Sequence, residues 1–308
     1  MNMNMKNHMA CELLPGALEI RGVDSPLSSD LEFSRKDAGK GAESSVESEK
    51  SYRIKHLRKS ALSRLNLDGI DRPSIKTAEN LDEFKQAFRL VHDEYAGSGY
   101  ITASPEHPYH YCAYSFLPGT RVFIFKAHCQ VIGTVTQVFD SPDFGLPMDI
   151  LYKKELDALR SGNRRIAELS SLVTSKAFRM RNIMVHLCKE MLTNSSANGF
   201  DDICIIVNPK HVNFYTKMFL FEPFGPERFY EKVQAPAVPL RIDMKLIADR
   251  MRLAYGQFSD ENDLYTFFFK PHQTSDMLYS TSVRRNEEQV SREIMNFFRH
   301  PQNQSLAA

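Results

Sequence analysis

Glu168 sits inside the run RRIAELSSLVTS, where strict alternation would put Ile166, Glu168, Ser170 and Leu172 on one face of a strand. A carboxylate in a central strand is costly unless it is paired or does chemistry. Two readings stand side by side: an ion pair with Arg164 or Arg121, or a general base whose pKa burial has raised toward neutrality. Further on, the apolar run ICIIV leads directly into NPKHVNFYTKMFLFEPF, residues 208–224. A strand broken there by Asn208 and Pro209, with a helix beginning at once, makes the kind of short loop where open α/β sheets bind ligands. Asn208 is suited to cap that helix, leaving free backbone N–H groups at the strand end. Tyr215, further along the helix, either packs or offers its phenol as a proton donor.

The elements that must position these residues follow from the pattern on either side. SIKTAENLDEFKQAFRLVHDEY reads as a short strand and then a helix capped by Asn80, with Glu83 three residues on. Leu81, Phe84, Phe88, Val91 and Tyr95 form one apolar stripe on it. RVFIFKAH and VIGTVTQVFD look like a hairpin turning through Cys129 and Gln130. ILYKKELDALRSG fits a helix, and FRMRNIMVHLCKEMLTNSSANG a long helix ended by Gly199. DDICIIV and PAVPLRIDM complete the strands. A hairpin followed by strand, helix, strand, helix, strand implies a mixed α/β sheet with crossovers. Residues 243–300 look mostly helical, including ENDLYTFFF and EEQVSREIMNFF.

Bulk properties limit the alternatives. In 308 residues, 39 Lys and Arg stand against 38 Asp and Glu, so no overall field recruits nucleic acid. No run approaches the roughly 18 apolar residues of a membrane span, and the first twenty residues lack the apolar core of a secretory signal. A cytoplasmic protein is expected. Cys11, Cys112, Cys129, Cys188 and Cys204 include no CxxC pair, which reads as buried thiols in a reducing compartment. His186 with Cys188, and His128 with Cys129, are lone pairs without further ligands at zinc spacing, so no metal is expected. Residues 1–49, with 5 basic and 9 acidic side chains, read as a disordered tail. Charge then inverts in KSYRIKHLRKSALSR, residues 50–64, with six basic residues and no acid. That strip is either a solvated linker or helix edge, or a docking strip for an anionic partner or membrane surface. The expected organisation is therefore 1–72 disordered or linker, 73–243 the main domain, and 244–308 a helical extension.

From Leu172 to Phe224 the order of elements resembles the core of the Gcn5-related N-acetyltransferase superfamily: a strand, a long helix, a strand ending in Asn, then a helix with a tyrosine. That resemblance implies a mixed, mostly antiparallel sheet flanked by helices, with a thioester held in the splay between AELSSLV and ICIIV. It gives Tyr215 the role of protonating the departing thiolate. Acetyltransferases of this kind enter the long helix through a glycine-rich loop that holds coenzyme A. Here TSKAFRMRN has no glycine and offers Lys176, Arg179 and Arg181 instead, which suit point contacts to a phosphopantetheine or an acidic carrier surface.

A narrower resemblance rests on HDEYAGSGYI, PYHYCAYSFLPGTRVFIFK, VIGTVTQVFDSPDFGLPMDILYKKELDALR, RRIAELSSLV and NPKHVNFYTKMFLFEPF. Together these look like the FeeM-type long-chain N-acyl amino acid synthases, relatives of the acyl-homoserine-lactone synthases. The resemblance implies an acyltransferase that moves a fatty acyl group from acyl carrier protein to the amine of an amino acid. It implies no bound cofactor, the acyl-phosphopantetheine thioester being the donor substrate, and it makes Glu168 the shared acidic strand position. Ser171 stands where the lactone synthases commonly have arginine, which puts lactone synthesis in doubt. Ser170 and Asn208 are candidate substrate contacts. Phe84, Phe88, Phe123 and Phe125 either line an acyl tunnel or pack in the core. The alternatives are a CoA-dependent N-acetyltransferase, a lactone synthase, or a non-catalytic module that binds acyl chains or a partner.

Overall fold

A computed structural model describes residues 48–56, 67–231, 234–259, 262–269 and 287–299. Chain order is α1 (48–56), β1 (Pro73–Thr77), α2 (Leu81–Gly97), β2 (Arg121–Ala127), β3 (Gln130–Phe139), α3 (Asp149–Ser161) and β4 (Ile166–Thr174). Then come α4 (Ile183–Ala197), β5 (Asp202–Val207), α5 (Pro209–Phe219), β6 (Glu222–Pro223), β7 (Arg228–Tyr230), β8 (Ala235–Asp243), α6 (Ile247–Tyr255), α7 (Leu264–Phe269) and α8 (Glu287–Arg299). The strands lie in the order β1-β2-β3-β4-β5-β8-β6, with β7 also on β8. Every pairing is antiparallel except β4 with β5. This is the mostly antiparallel α/β sheet expected; β6 and β7 are too short to have shown as periodic runs.

The parallel pair sets the shape of the molecule. Its register holds only from Ile166 with Asp202 to Glu168 with Cys204. At the closed end a charge clasp fastens it: the Arg164 guanidinium bonds both Asp202 carboxylate oxygens and Asp243 Oδ2 at 2.8 Å, and Arg241 reaches Asp202 at 2.9 Å. At the other end β4 bulges. Ser171 has φ of 52°, in the left-handed region, and the register against β3 slips between Thr134 and Thr136. A bulge inserts a residue and re-aims those after it. Leu172 therefore joins Leu169 on the α4 face, while Val173 joins Ile166 on the opposite face. The expectation that Leu172 shares a face with Glu168 is corrected by this one residue.

One sheet face packs against α4, α5, α6 and α7. The approach of α4 is close because Gly133 of β3 lacks a side chain: a Cβ there would lie 2.8 Å from Ile183 and 3.3 Å from Leu187. The other face packs against α2 and α3. On α2 the Asn80 side chain accepts the Glu83 N–H at 3.0 Å, and Glu83 in turn accepts the Glu79 N–H at 2.9 Å, a two-way cap.

Described segments on either side of the 73–243 span pack on this same body. In α1, Arg53 is buried and its Nε donates to the Lys217 carbonyl at 2.8 Å. The first part of the strip, read as a solvated linker or helix edge or as a docking strip, is thus a helix packed on the domain. This helix begins within the tail expected over 1–49; residues 1–47 and 57–66 lie outside the described residues. From α6, the Tyr255 hydroxyl donates to the Met218 carbonyl at 2.6 Å. Lys217 and Met218 lie in the last turn of α5, whose carbonyls lack helical partners, so the two extensions satisfy them. Cys129, Cys188 and Cys204 are free thiols, and Cys129 is exposed, which corrects the reading of the cysteines as uniformly buried. Among the described residues no helix is long and apolar enough to cross a membrane, and no cluster of His, Cys, Asp or Glu is placed to hold a metal ion.

Candidate active site at the strand splay

Beyond Glu168 and Cys204, β4 and β5 diverge and leave facing backbone groups without a ladder partner. An apolar cavity of about 40 Å³ fills the wedge, room for about three waters. Its walls are Leu169 to Leu172 of β4, Ile205 to Val207 of β5, Cys188, Met191 and Leu192 of α4, and Tyr215 and Phe219 of α5. Phe221, Ile242, Ile247, Met251 and Phe268 complete it. Burial pushes the Cys188 thiol up to about 12 and the Tyr215 phenol well above its ordinary value. Neither ionises near neutral pH.

Ser170 lies in the wall, buried, with no hydrogen-bond partner for its hydroxyl. Glu168 stands two residues back on the same strand face and is fully buried. Its Oε2 accepts the Met148 N–H at 2.9 Å, while Oε1 has no partner. Burial raises its pKa well above the usual carboxylate value; the Met148 bond opposes that, and the nearby Asp149 and Asp140 carboxylates add to it. The ion-pair reading with Arg164 is overturned, because that guanidinium is committed to Asp202 and Asp243.

The amide that holds Glu168 is itself held. Arg160 bridges Asp140, at 2.8 Å to each carboxylate oxygen, and Asp149, at 2.7 Å to each. Asp149 Oδ2 also accepts the Leu146 N–H at 2.7 Å, which fixes the turn into α3. Gly145 takes φ of 64° there, and a Cβ on it would collide with the Asp149 carboxylate. Met148, Asp149, Asp140 and Arg160 were not among the predicted site residues. Of these, Met148 and Asp149 lie in the turn-rich GLPMD segment, and Asp140 and Arg160 lie on either side of it.

The remaining expectations divide. Tyr215 reaches the cavity, packed edge-on against Phe214 and Phe221. Asn208 caps α5, its Oδ1 accepting the Lys210 N–H at 3.1 Å, just past the wall residue Val207. Phe84 and Phe88 do not line the cavity. They pack with Phe298 of α8 in a separate aromatic cluster, Phe88 and Phe298 having ring centres 5.3 Å apart. Phe123 and Phe125 are core residues of the α4 face and also lie outside the cavity wall. The glycine-free stretch Lys176–Arg181 forms a 3-10 turn. Lys176 is exposed, with its N–H on Glu94 at 2.9 Å; Arg179 pairs with Glu94 at 2.5 Å, and Arg181 bonds the Asp68 carbonyl. Two of the three basic side chains are thus spent on internal contacts.

Comparison with known proteins follows this geometry. The fold superposes on FeeM, an N-acyl amino acid synthase from uncultured soil microbes, at 24% identity, a TM-score of 0.52, 58% of this chain and 95% of that one. BjaI, a CoA-dependent acyl-homoserine lactone synthase, aligns at 13% identity and TM-score 0.47 over 72% of this chain and 99% of that one. An acyl-CoA N-acyltransferase from Pseudomonas aeruginosa aligns at 11% identity and TM-score 0.41, over 55% and 97%. No curated protein sequence matches the chain. The family model described as N-acyl amino acid synthase FeeM matches residues 86–243, which contain β4, β5, Glu168 and Tyr215 and span just over half of the chain. This chain is an N-acyltransferase and belongs to the FeeM N-acyl amino acid synthase family.

Proposed function

We propose that this enzyme moves a long-chain fatty acyl group from acyl carrier protein to the amine of an amino acid. The observation that supports it most is an uncharged apolar cavity in the strand splay, together with a buried glutamate that no cation neutralises. Glu168 is not in the cavity wall but stands two residues from its wall residue Ser170, on the α2/α3 face of the sheet. An acyl chain gains from transfer out of water into such a wall. The amine nitrogen attacks the thioester carbonyl, the C–N bond forms, the C–S bond breaks, and the nitrogen loses a proton to Glu168. A carboxylate with a raised pKa suits that base role near neutral pH. Cα atoms two apart on a strand are about 6.5–7 Å from each other, so a water beside the Ser170 hydroxyl bridges the remaining gap.

The unladdered N–H groups of the splay face the developing oxyanion. Tyr215 stays protonated, so its part is to donate a hydrogen bond to the departing sulfur. Lys176, the exposed one of the three predicted basic contacts, meets the phosphate of the carrier's phosphopantetheine arm. With no glycine in the 3-10 turn, the backbone cannot wrap a diphosphate closely, which favours the carrier-borne donor over CoA. Carrier-dependent transfer places the reaction in the cytoplasm, with no cofactor beyond the donor thioester.

The test supplies purified protein with acyl carrier proteins and acyl-CoAs of graded chain length and a pool of amino acids, with mass spectrometry of the products. N-acyl amino acids formed faster from the carrier support the reading. Products from CoA alone overturn the donor assignment, lactone overturns the acceptor, and tight carrier binding without product identifies a binding module.

A further inference from the structure

Three residues of the cavity wall, Ile247, Met251 and Phe268, come from α6 and α7. The family match ends at residue 243, before either helix begins. The structural match to FeeM takes in 95% of that chain and leaves more than two fifths of this one over. The cavity is therefore closed on one side by helices that lie outside the span the family model matches.

The resting cavity is too small for its proposed guest. Room for about three waters accommodates only a few methylene groups, so a long acyl chain needs one wall to yield. The β4, β5 and β8 walls are tied into one sheet through ladders to their neighbours. The wall from α4 and α5 packs directly on those strands, as the buried Leu187, Met191, Phe214 and Met218 show. The α6–α7 wall makes no ladder. It is held by side-chain packing, the Tyr255 bond to Met218, an Arg250–Glu222 ion pair at 2.7 Å to β6, His186 and Lys189 of α4 against the Phe267 ring, and the short cap of α7, where Asp263 accepts the Thr266 N–H at 3.1 Å. The two large side chains that this wall sends inward are Met251, which is flexible, and Phe268, which swings as a ring.

We propose that Met251 and Phe268 determine which acyl chains the enzyme accepts, the α6–α7 extension acting as the adjustable end-wall of the acyl site. This rests on the acyl-transfer reading above. Replacing either by alanine lengthens the cavity, and Met251→Phe shortens it. A single methylene at the end of an apolar pocket discriminates by about 10-fold or more. Against donors of graded chain length, Met251→Ala and Phe268→Ala are expected to raise the rate ratio of the longest to the preferred donor at least about 10-fold. Met251→Phe is expected to lower it. Met251→Leu, equal in volume, keeps the wild-type profile. Leu253→Ala is the control, since that side chain points to solvent on the same helix, 81% exposed.

A second readout needs no turnover: displacement of the fluorescent fatty acid cis-parinaric acid by saturated fatty acids of graded length. If the wild-type enzyme forms no N-acyl product from any donor, the functional reading fails. The displacement series then still tests the wall, because a changed order of fatty-acid affinities in Met251→Ala supports it. If wild type is active and the Met251 variants, folded by circular dichroism, keep both its product profile and its displacement order, the inference is overturned. Should Phe268→Ala fail to fold, the Met251 pair alone decides.

Discussion

Glu168→Gln separates chemistry from structure at one atom. Glutamine keeps an oxygen to accept the Met148 N–H and places an NH2 group where Glu168 Oε1 already has no partner. The polar cost of the swap is therefore small, well under the ~1–3 kcal/mol of a newly orphaned group. What changes is the charge. Burial raises the carboxyl pKa in the folded state, so the folded protein holds a proton that the unfolded chain releases near the ordinary glutamate value of about 4.3. That contribution to stability is complete below this value and is lost as pH rises toward the folded pKa, at about 1.4 kcal/mol for each pH unit in the window.

The variant cannot lose it. Its melting temperature relative to wild type should therefore climb between pH 5 and pH 8, and exceed wild type at the upper end. Activity should move the other way. Loss of a general base removes about 10²- to 10⁴-fold from kcat, equivalent to ~3–5 kcal/mol on the barrier. Wild-type kcat/KM should rise with pH through the raised pKa, while the residual rate of Glu168→Gln stays flat. Melting scans at four pH values beside single-turnover acylation rates suffice. Full activity in the variant, or a melting difference that does not grow with pH, would refute the argument.

Arg160→Met strands the Asp140 and Asp149 carboxylates that the guanidinium now bridges, and should cost about 2–4 kcal/mol of stability in urea unfolding. The same variant should move the acylation pH profile upward, because two unneutralised carboxylates press harder on Glu168, and Arg160→Lys should restore part of both. On the role proposed for Tyr215, Tyr215→Phe is expected to lower kcat about 10-fold with little change in melting temperature. Lys176→Glu should raise KM for the acyl carrier several-fold, leave a short acyl-pantetheine donor unaffected, and lose its effect as salt rises.

Glu168 was legible because it is a charge inside an apolar strand, and that anomaly survives without knowledge of its neighbours. Its partner was not. Arg164 is near in sequence, but Asp202 and Asp243 lie across β5 and β8, and no local pattern reports a bond made through strand pairing. The holding amide of Met148 is invisible for another reason: a backbone donor carries no residue type. The bulge at Ser171 escaped because a non-glycine residue occupies the left-handed conformation, so the usual mark of a break in alternation is missing. Phe84 and Phe88 show the limit of periodicity. Their spacing on α2 correctly gave a buried face, but the aromatic partner Phe298 lies some 200 residues downstream. The cap at Asn208 and the helix after it were readable, since cap chemistry is local.

The last turn of α5 is stitched from two helices distant in sequence, by Arg53 of α1 on the Lys217 carbonyl and by Tyr255 of α6 on that of Met218. A version of the protein trimmed to residues 73–243, the main domain expected from the sequence, would cut both threads while keeping every residue named in the chemistry. The helix that carries Tyr215 would then fray from its far end and uncover the aromatic side chains beneath it. Such a fragment would precipitate or acylate poorly, and its failure would say nothing about the residues at the splay.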